Sequence, residues 1–311
     1  MAIFKRLYRL VAVIAAAAVL LLSAVITVAD GAIGWIPSWY EIFAWAGFCE
    51  PPVSEDELRV TVLDVGNADC ILIQSGKQAA LIDAGEGQDR RKVIKALHLR
   101  GITRLEYVLA THADVDHIGA MPDVVREMEI GTFLMPYMSY DAKPDSRTFA
   151  ELEAALSEKE LPITAAKYGM VCPIGKATLT VISGRSEPHY ASSNERSLVC
   201  RLTFGEHAIL LMGDAGESTE KRLLATGVNV QADVIKVGHH GSSSSSSTVF
   251  MEAVKPAYAV ITCGFDNGRG HPHEKTLQTL QAVGATVYRS DLNGTIVIAS
   301  DGHTLSVSSE R

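Results

Sequence analysis

The chain has 311 residues, 47% of them hydrophobic and 21% charged, with a formal net charge of −8. That balance excludes a disordered chain, and it excludes a broadly basic surface for nucleic acid, so a polyanionic substrate would need local charge or metal to hold it. The length suits one large domain or two small ones, with a core that needs no disulfide staples.

Lys5, Arg6 and Arg9 precede an uncharged apolar run from Leu10 to Ala29. At ~1.5 Å per residue such a helix spans the ~30 Å hydrocarbon layer of a bilayer. Signal-peptide cores run only ~7–15 residues, so residues 1–32 are expected to form a membrane anchor. Small residues near Ala29 and Ala32 leave a cleaved signal, and thus a secreted protein, as the alternative. The basic flank puts the N-terminus inside and the remainder of this single-pass protein outside the cytoplasm. Residues 33–56 are read as a linker: Trp35, Trp39, Tyr40, Phe43, Trp45 and Phe48 suit a membrane interface, and Pro51, Pro52 and an acidic stretch follow. The folded body is expected over 57–311.

In the body, LRVTVLDV, CILIQ and QAALIDA predict three strands joined by tight turns. A helix is predicted over Gln88–Leu97, then a strand at LEYVLAT, then helices at Asp123–Met128 and Arg147–Ser157. Further strands are predicted at TLTVIS, SLVCRLTF, HAILLMG, DVIKV, AYAVIT, ATVYR and GTIVIAS. Helices at Ser218–Leu224, Ser247–Val254 and Glu274–Ala282 are interleaved with the later strands. Most of these strands are near-continuous apolar runs, which implies burial on both faces. Two packed sheets with helices outside satisfy that, and the hairpin spacing at the start argues against a single doubly wound sheet. The run Ser242–Ser247 reads as a flexible loop. Cys49, Cys70, Cys172, Cys200 and Cys263 are scattered and odd in number, so they read as mostly buried thiols rather than a disulfide framework.

The chemistry sits in loops that follow strands. THADVDHIGA carries His112, Asp114, Asp116 and His117; MGDAGE carries Asp214; KVGHHGSSSS carries His239 and His240; GRGHPHEK carries His271 and His273. Imidazoles and carboxylates together suit zinc, manganese or iron. The plain alternative for the first loop is a polar turn with Asp116 capping the next helix. Recurrence at strand ends is the stronger signal, because strand ends on one rim converge on one site.

LDVGNADCILI, LIDAG, THADVDHIGA, SLVCRLTFGEHAILLMGDA, DVIKVGHHGS, NGRGHP and SDLNGTI occur in that order. The series resembles the metallo-β-lactamase superfamily of binuclear metal hydrolases and, more narrowly, the hydrolase domain of ComEC-type competence proteins. The resemblance implies an α/β fold, an αββα sandwich, here preceded by one N-terminal transmembrane helix. It also implies two divalent ions, Zn or Mn. His112 and Asp114 would hold the first ion, Asp116 and His117 the second, and Asp214 both. His239 or His240 would complete the second site; with His240 there, His239 is left for the first ion, a supporting bond or the substrate. Asp116 and His271 would be catalytic, His271 as general acid or as a donor to developing negative charge. Asp69 and Asp83 would orient ligand histidines from behind, or be ordinary turn carboxylates. Ser242 and Arg269, with His271, would face the substrate. One departure is Asn194, which stands nearest to where many relatives place a third histidine for the first ion.

The branch implies phosphodiester hydrolysis on single-stranded DNA or a small phosphodiester. A wall or lipid-linked phosphodiesterase and a lactam or lactone hydrolase are the alternatives within the enzyme class. An anchored, non-catalytic binding module is the alternative of another class. With one candidate span the chain would not conduct DNA by itself.

Overall fold

A computed structural model describes residues 2–29, 38–137, 146–183 and 192–311. Two compact units divide the chain: residues 1–52 with 99–101, and residues 53–98 with 102–311. In the first unit, α1 covers Ala2–Ala29 and α2 covers Trp39–Trp45. A capping box starts α2: the Ser38 hydroxyl accepts from the Glu41 amide, and the Glu41 carboxylate accepts from the Ser38 amide. Part of the expected linker is thus helical, while Ala32 and Trp35 lie outside the described residues. Among the described residues no helix is long and apolar enough to cross a membrane, so the expected transmembrane helix finds no support here.

The second unit contains two sheets. Sheet one is built from β1 (Leu58–Val62), β2 (Ile71–Ser75), β3 (Gln78–Ile82), β4 (Arg104–Leu109), β5 (Glu129–Pro136), β6 (Ile163–Ala166), β14 (Ile296–Ser300) and β15 (Leu305–Ser309). Its order is β15-β14-β1-β2-β3-β4-β5-β6. Sheet two is built from β7 (Val171–Ile174), β8 (Ala177–Val181), β9 (Cys200–Phe204), β10 (His207–Leu211), β11 (Val234–Lys236), β12 (Tyr258–Ile261) and β13 (Thr286–Arg289), in the order β13-β12-β11-β10-β9-β8-β7. Each sheet is antiparallel at one end and parallel at the other, with the change at β3 in sheet one and at β10 in sheet two. The hairpins at the start are therefore real, and each parallel half needs helical crossovers.

Successive strand residues point to opposite faces, and this explains the unbroken apolar runs. Val60, Ile71, Ile73 and Ile298 of sheet one meet Leu179, Leu202 and Leu211 of sheet two in the central core. Leu72, Leu81 and Leu105 face the other way, onto α3 (Arg90–Leu99), α5 (Met121–Glu127) and α6 (Arg147–Glu158). On the far side, Leu210 and Ile235 pack under α7 (Glu217–Thr226), α8 (Thr248–Val254) and α9 (Glu274–Ala282). The layers are helix, sheet, sheet, helix.

Sequence patterning misses β5, β6, β7 and β15. β6 and β15 close the ends of sheet one and β7 closes an end of sheet two, where one side is open and polar residues intrude; β5 begins on the polar Glu129. The serine run is also corrected: it is pinned at several points, as described below. All five cysteines are free, four of them buried. Burial pushes the Cys172 thiol up to about 11, and burial with the Asp291 carboxylate, to which the thiol donates, pushes Cys263 up to about 12, so neither is a ready thiolate.

Candidate metal centre

Four loops at one rim of the sandwich carry the site. After β4, Thr111 and His112 lead into α4 (Val115–Ile118), a single turn that presents Asp116 and His117. Asp114, not Asp116, stands at the cap position of that turn, and it makes no capping bond. The MGDA loop follows β10. Gly213 has φ +52, and a Cβ there would lie 3.0 Å from the Thr111 Cβ, so glycine lets Asp214 approach the first loop closely. The HHG loop follows β11. A Cβ on Gly238 would lie 2.4 Å from the Ala215 carbonyl oxygen, and the His239 amide donates to Gly213 O at 3.1 Å.

Asp214 is buried at the centre, and its two oxygens face different partners. Oδ1 lies 3.2 Å from His117 Nε2 and 3.4 Å from His240 Nε2, and His240 Nε2 lies 3.5 Å from Asp116 Oδ2. Oδ2 faces a looser set, 3.8 Å from His239 Nε2 and 4.0 Å from His112 Nε2. His112 Nε2 is in turn 3.6 Å from Asp114 Oδ2. The sequence left His239 and His240 open; the fold turns His240 to the Asp116–His117 side and His239 to the His112 side.

The far side of each ring fixes its tautomer. His117 Nδ1 donates to Asp83 Oδ2 at 2.7 Å. His240 Nδ1 donates to the Thr262 carbonyl at 2.9 Å. Thr111 Oγ1 gives its proton to Asp83 Oδ2 at 2.7 Å and so accepts from His112 Nδ1 at 3.1 Å. In the neutral rings each Nε2 is then left with a lone pair aimed inward, where a proton or a cation would bind. His112 Nε2, His117 Nε2, His240 Nε2 and Asp214 Oδ1 are buried and make no hydrogen bond among the described residues. Lone pairs facing lone pairs repel unless a cation lies between them. Ligands on a tetrahedral ion with bonds of 2.0–2.1 Å sit about 3.4 Å apart, the spacing of the Asp116, His117, His240 and Asp214 set. These residues fit a divalent ion. Asp69, Asp83 and His117 also lie close together, but Asp83 is hydrogen bonded to His117 and Asp69 is paired with Lys236, so that group supports the site from behind.

Electrostatics agree. Burial raises the Asp116 carboxyl, yet the His240 imidazole beside it and the charge of His117 more than offset this and hold it at about 2. Burial opposes charge on His117, but Asp214 and Asp83 outweigh it and hold the imidazolium well above its usual range. A proton and a metal ion thus compete for one nitrogen.

Several contributors lie outside the sequence expectation. Thr111, Ser197, Thr262 and Lys236 are buried polar groups behind the ligands, and Ser197 Oγ accepts from the Asp214 amide at 3.1 Å. Ser193 Oγ donates to Asp114 Oδ2 at 3.0 Å, and Asn194 Nδ2 lies 3.2 Å from His239 Nε2. Thr111 and Thr262 stand just past the ends of β4 and β12, at the close of the apolar runs LEYVLAT and AYAVIT, the one cue the sequence offered.

Substrate-facing expectations divide. Asn67, Glu86, Val115, Asp116, Asn267, Gly268 and Arg269 line a cleft of about 220 Å³ beside the cluster. Arg269 is exposed within it, and Glu86 opposes it, its carboxyl raised by burial and by Asp116 and Asp89. His271 is buried, 5.5 Å from His239 between ring centroids, with Nδ1 making no hydrogen bond among the described residues. Ser242 does not turn to the cleft as expected: its hydroxyl pairs with Ser244 Oγ at 3.0 Å inside the loop.

A family model, the metallo-beta-lactamase superfamily, matches residues 63–264. ComE operon protein 3 of Bacillus subtilis is 32% identical over 263 residues, covering 79% of this chain and 33% of that protein. Competence protein ComA of Neisseria gonorrhoeae is 29% identical over 246 residues, covering 78% of this chain and 32% of that protein. The chain therefore spans well under two thirds of the length of these relatives, which are competence proteins of the ComEC type. The crystal structure of the metallo-beta-lactamase fold protein YhfI from Bacillus subtilis superposes with a TM-score of 0.52 at 14% identity, covering 79% of this chain and 100% of that one, a likeness of fold. The fold, the cation-shaped cluster and the family match converge: this chain belongs to the metallo-beta-lactamase superfamily.

Proposed function

We propose that the chain is a two-cation hydrolase acting on phosphodiester bonds, with single-stranded nucleic acid or a small phosphodiester as substrate. The observation that carries the reading is the division of Asp214, one oxygen toward each of two histidine–carboxylate sets. Bound there, divalent cations of zinc or manganese type supply Lewis acidity, lowering the pKa of a water and offsetting charge on substrate oxygens. Asp116, His117 and His240 would hold one ion and His112, Asp114 and His239 the other, with Asp214 shared by both sets. The second set is looser and has Asn194 where a further imidazole would help, so it would hold its ion more weakly.

Arg269 orients a phosphate oxygen in the cleft. His271 donates a hydrogen bond to the leaving oxygen. Burial, with His239 and His240 nearby, brings its pKa down to about 4, so the ring is neutral near pH 7 and serves as a donor rather than as a charged acid. Asn267 steadies it, accepting from the His271 amide at 2.9 Å and donating to its carbonyl at 2.6 Å. Glu86 and the net charge of −8 disfavour a long polyanion and favour a short strand or a small diester. Location outside the membrane, on a single N-terminal anchor or after signal cleavage, belongs to the proposal on the strength of the Leu10–Ala29 run alone.

The test uses metal-stripped full-length protein and Asp214→Ala, assayed with bis(p-nitrophenyl) phosphate and a labelled single-stranded oligonucleotide, with Zn²⁺ or Mn²⁺ restored. Metal-dependent turnover that drops at least 10³-fold in the variant is expected. Two bound equivalents without turnover on either substrate would overturn the phosphodiester reading and direct attention to lactams, lactones and wall phosphoesters.

A further inference from the structure

We propose that Lys236 is a positioning residue for the cation site of Asp116, His117, His240 and Asp214, acting through Asp69. Lys236 ends β11, whose other residues, Val234 and Ile235, are apolar. It pairs across the sheet with Leu211 and Val260, and its side chain is 1% exposed. Its Nζ lies 2.6 Å from Asp69 Oδ2, also 1% exposed, and makes no hydrogen bond outside that ion pair among the described residues. A buried ion pair is generally no more stabilising than an apolar pair of the same volume, so stability does not account for a lysine at this place.

Asp69 does account for it. Its Oδ1 accepts from Thr262 Oγ1 at 2.5 Å, and Thr262 accepts from His240 Nδ1 through its carbonyl and hydroxyl, at 2.9 and 3.1 Å. Its amide donates to the Asp116 carbonyl at 3.2 Å, and its own carbonyl accepts from the Gly85 amide at 2.7 Å. One residue of the loop between β1 and β2 therefore holds His240, in the loop after β11, and the main chain of Asp116, and Lys236 fixes where that residue lies. The arrangement mirrors the Asp83 contact behind His117. Metal-ligating histidines depend on such outer partners, whose loss typically lowers metal affinity about 10–100-fold.

The inference rests on the two-cation reading and not on the choice of substrate. The test compares full-length wild type, Lys236→Met and the double variant Lys236→Met/Asp69→Asn. Zinc equivalents and affinities are read by competition with a chromophoric chelator, and melting of the metal-free proteins is followed in parallel. Lys236→Met alone leaves a carboxylate buried without its counter-charge and is expected to melt lower. The double variant removes both charges and is expected to melt near wild type while one of its two equivalents binds at least tenfold more weakly and the other is unchanged. A double variant that melts like wild type and holds both equivalents with wild-type affinity would overturn the role of Lys236. Fewer than two equivalents in wild type would overturn the two-cation reading itself, and this inference with it.

Discussion

At the scale of single residues the centre is held by uncommon backbone conformations. Asp83, His239 and His240 have φ of 55°, 49° and 53°, a region that non-glycine residues rarely enter. Such positions persist only where surrounding bonds over-determine them, as the Thr111, Gly213 and Thr262 contacts do here. The charge of the cluster sets a testable competition. His117 holds its proton above the usual histidine range, so a metal ion must displace it even near pH 7. Zinc binding is expected to release about one proton per protein at the Asp116–His240 site, with affinity rising as pH rises toward the elevated pKa. Asp83→Asn, which weakens the support of His117, should bind metal about 10–100-fold more weakly and release fewer protons. Calorimetry in buffers of different ionisation enthalpy measures both, and binding enthalpies independent of buffer would refute the competition.

At the scale of elements, the serine run shows how a segment without pattern becomes a rigid support. Glu220, buried on α7, accepts from the Ser246 and Ser247 amides at 2.5 and 2.9 Å, where α8 begins. A carboxylate at a helix start satisfies orphan amides and complements the helix dipole. Ser245 Oγ donates to Gly238 O at 2.7 Å, and the Ser243 amide donates to His273 Nδ1 at 2.8 Å, tying the run to both histidine loops. Glu220→Ala strands two amides and is expected to lower stability by about 1–3 kcal/mol. Urea unfolding of the metal-loaded protein checks this, with metal stoichiometry retained. An unchanged midpoint would mean that water replaces the carboxylate and that the run holds itself.

At the scale of the molecule, the closing strand order makes the second unit a complete core. β14 enters between β15 and β1, so residues near the C-terminus complete the sheet that opens the unit. Helices cover both outer faces, and the three loops that carry the candidate ligands all arise within it. A chain beginning at Val53 is therefore expected to unfold in one cooperative transition and to bind the same number of zinc equivalents as the full chain. Broad, non-cooperative melting of that fragment would show that residues 1–52 are needed for the core.

The sequence by itself pointed to two packed sheets with helices outside, through apolar runs buried on both faces, and to the candidate loops, through histidines and carboxylates crowded after strands. Asp83 offered only a carboxylate directly after a strand, as compatible with an ordinary turn as with a support; its contact with His117 is tertiary. Tertiary structure alone decided what depends on through-space distance. It assigned His239 and His240 to opposite sides of Asp214, since their neighbouring positions in the chain do not say which way two left-handed residues point. It turned Ser242 inward and fixed a loop that composition reads as flexible, because Glu220 and His273 are remote in sequence. It brought Lys236, at the end of β11, against Asp69 in the loop between β1 and β2, a contact that no local pattern encodes.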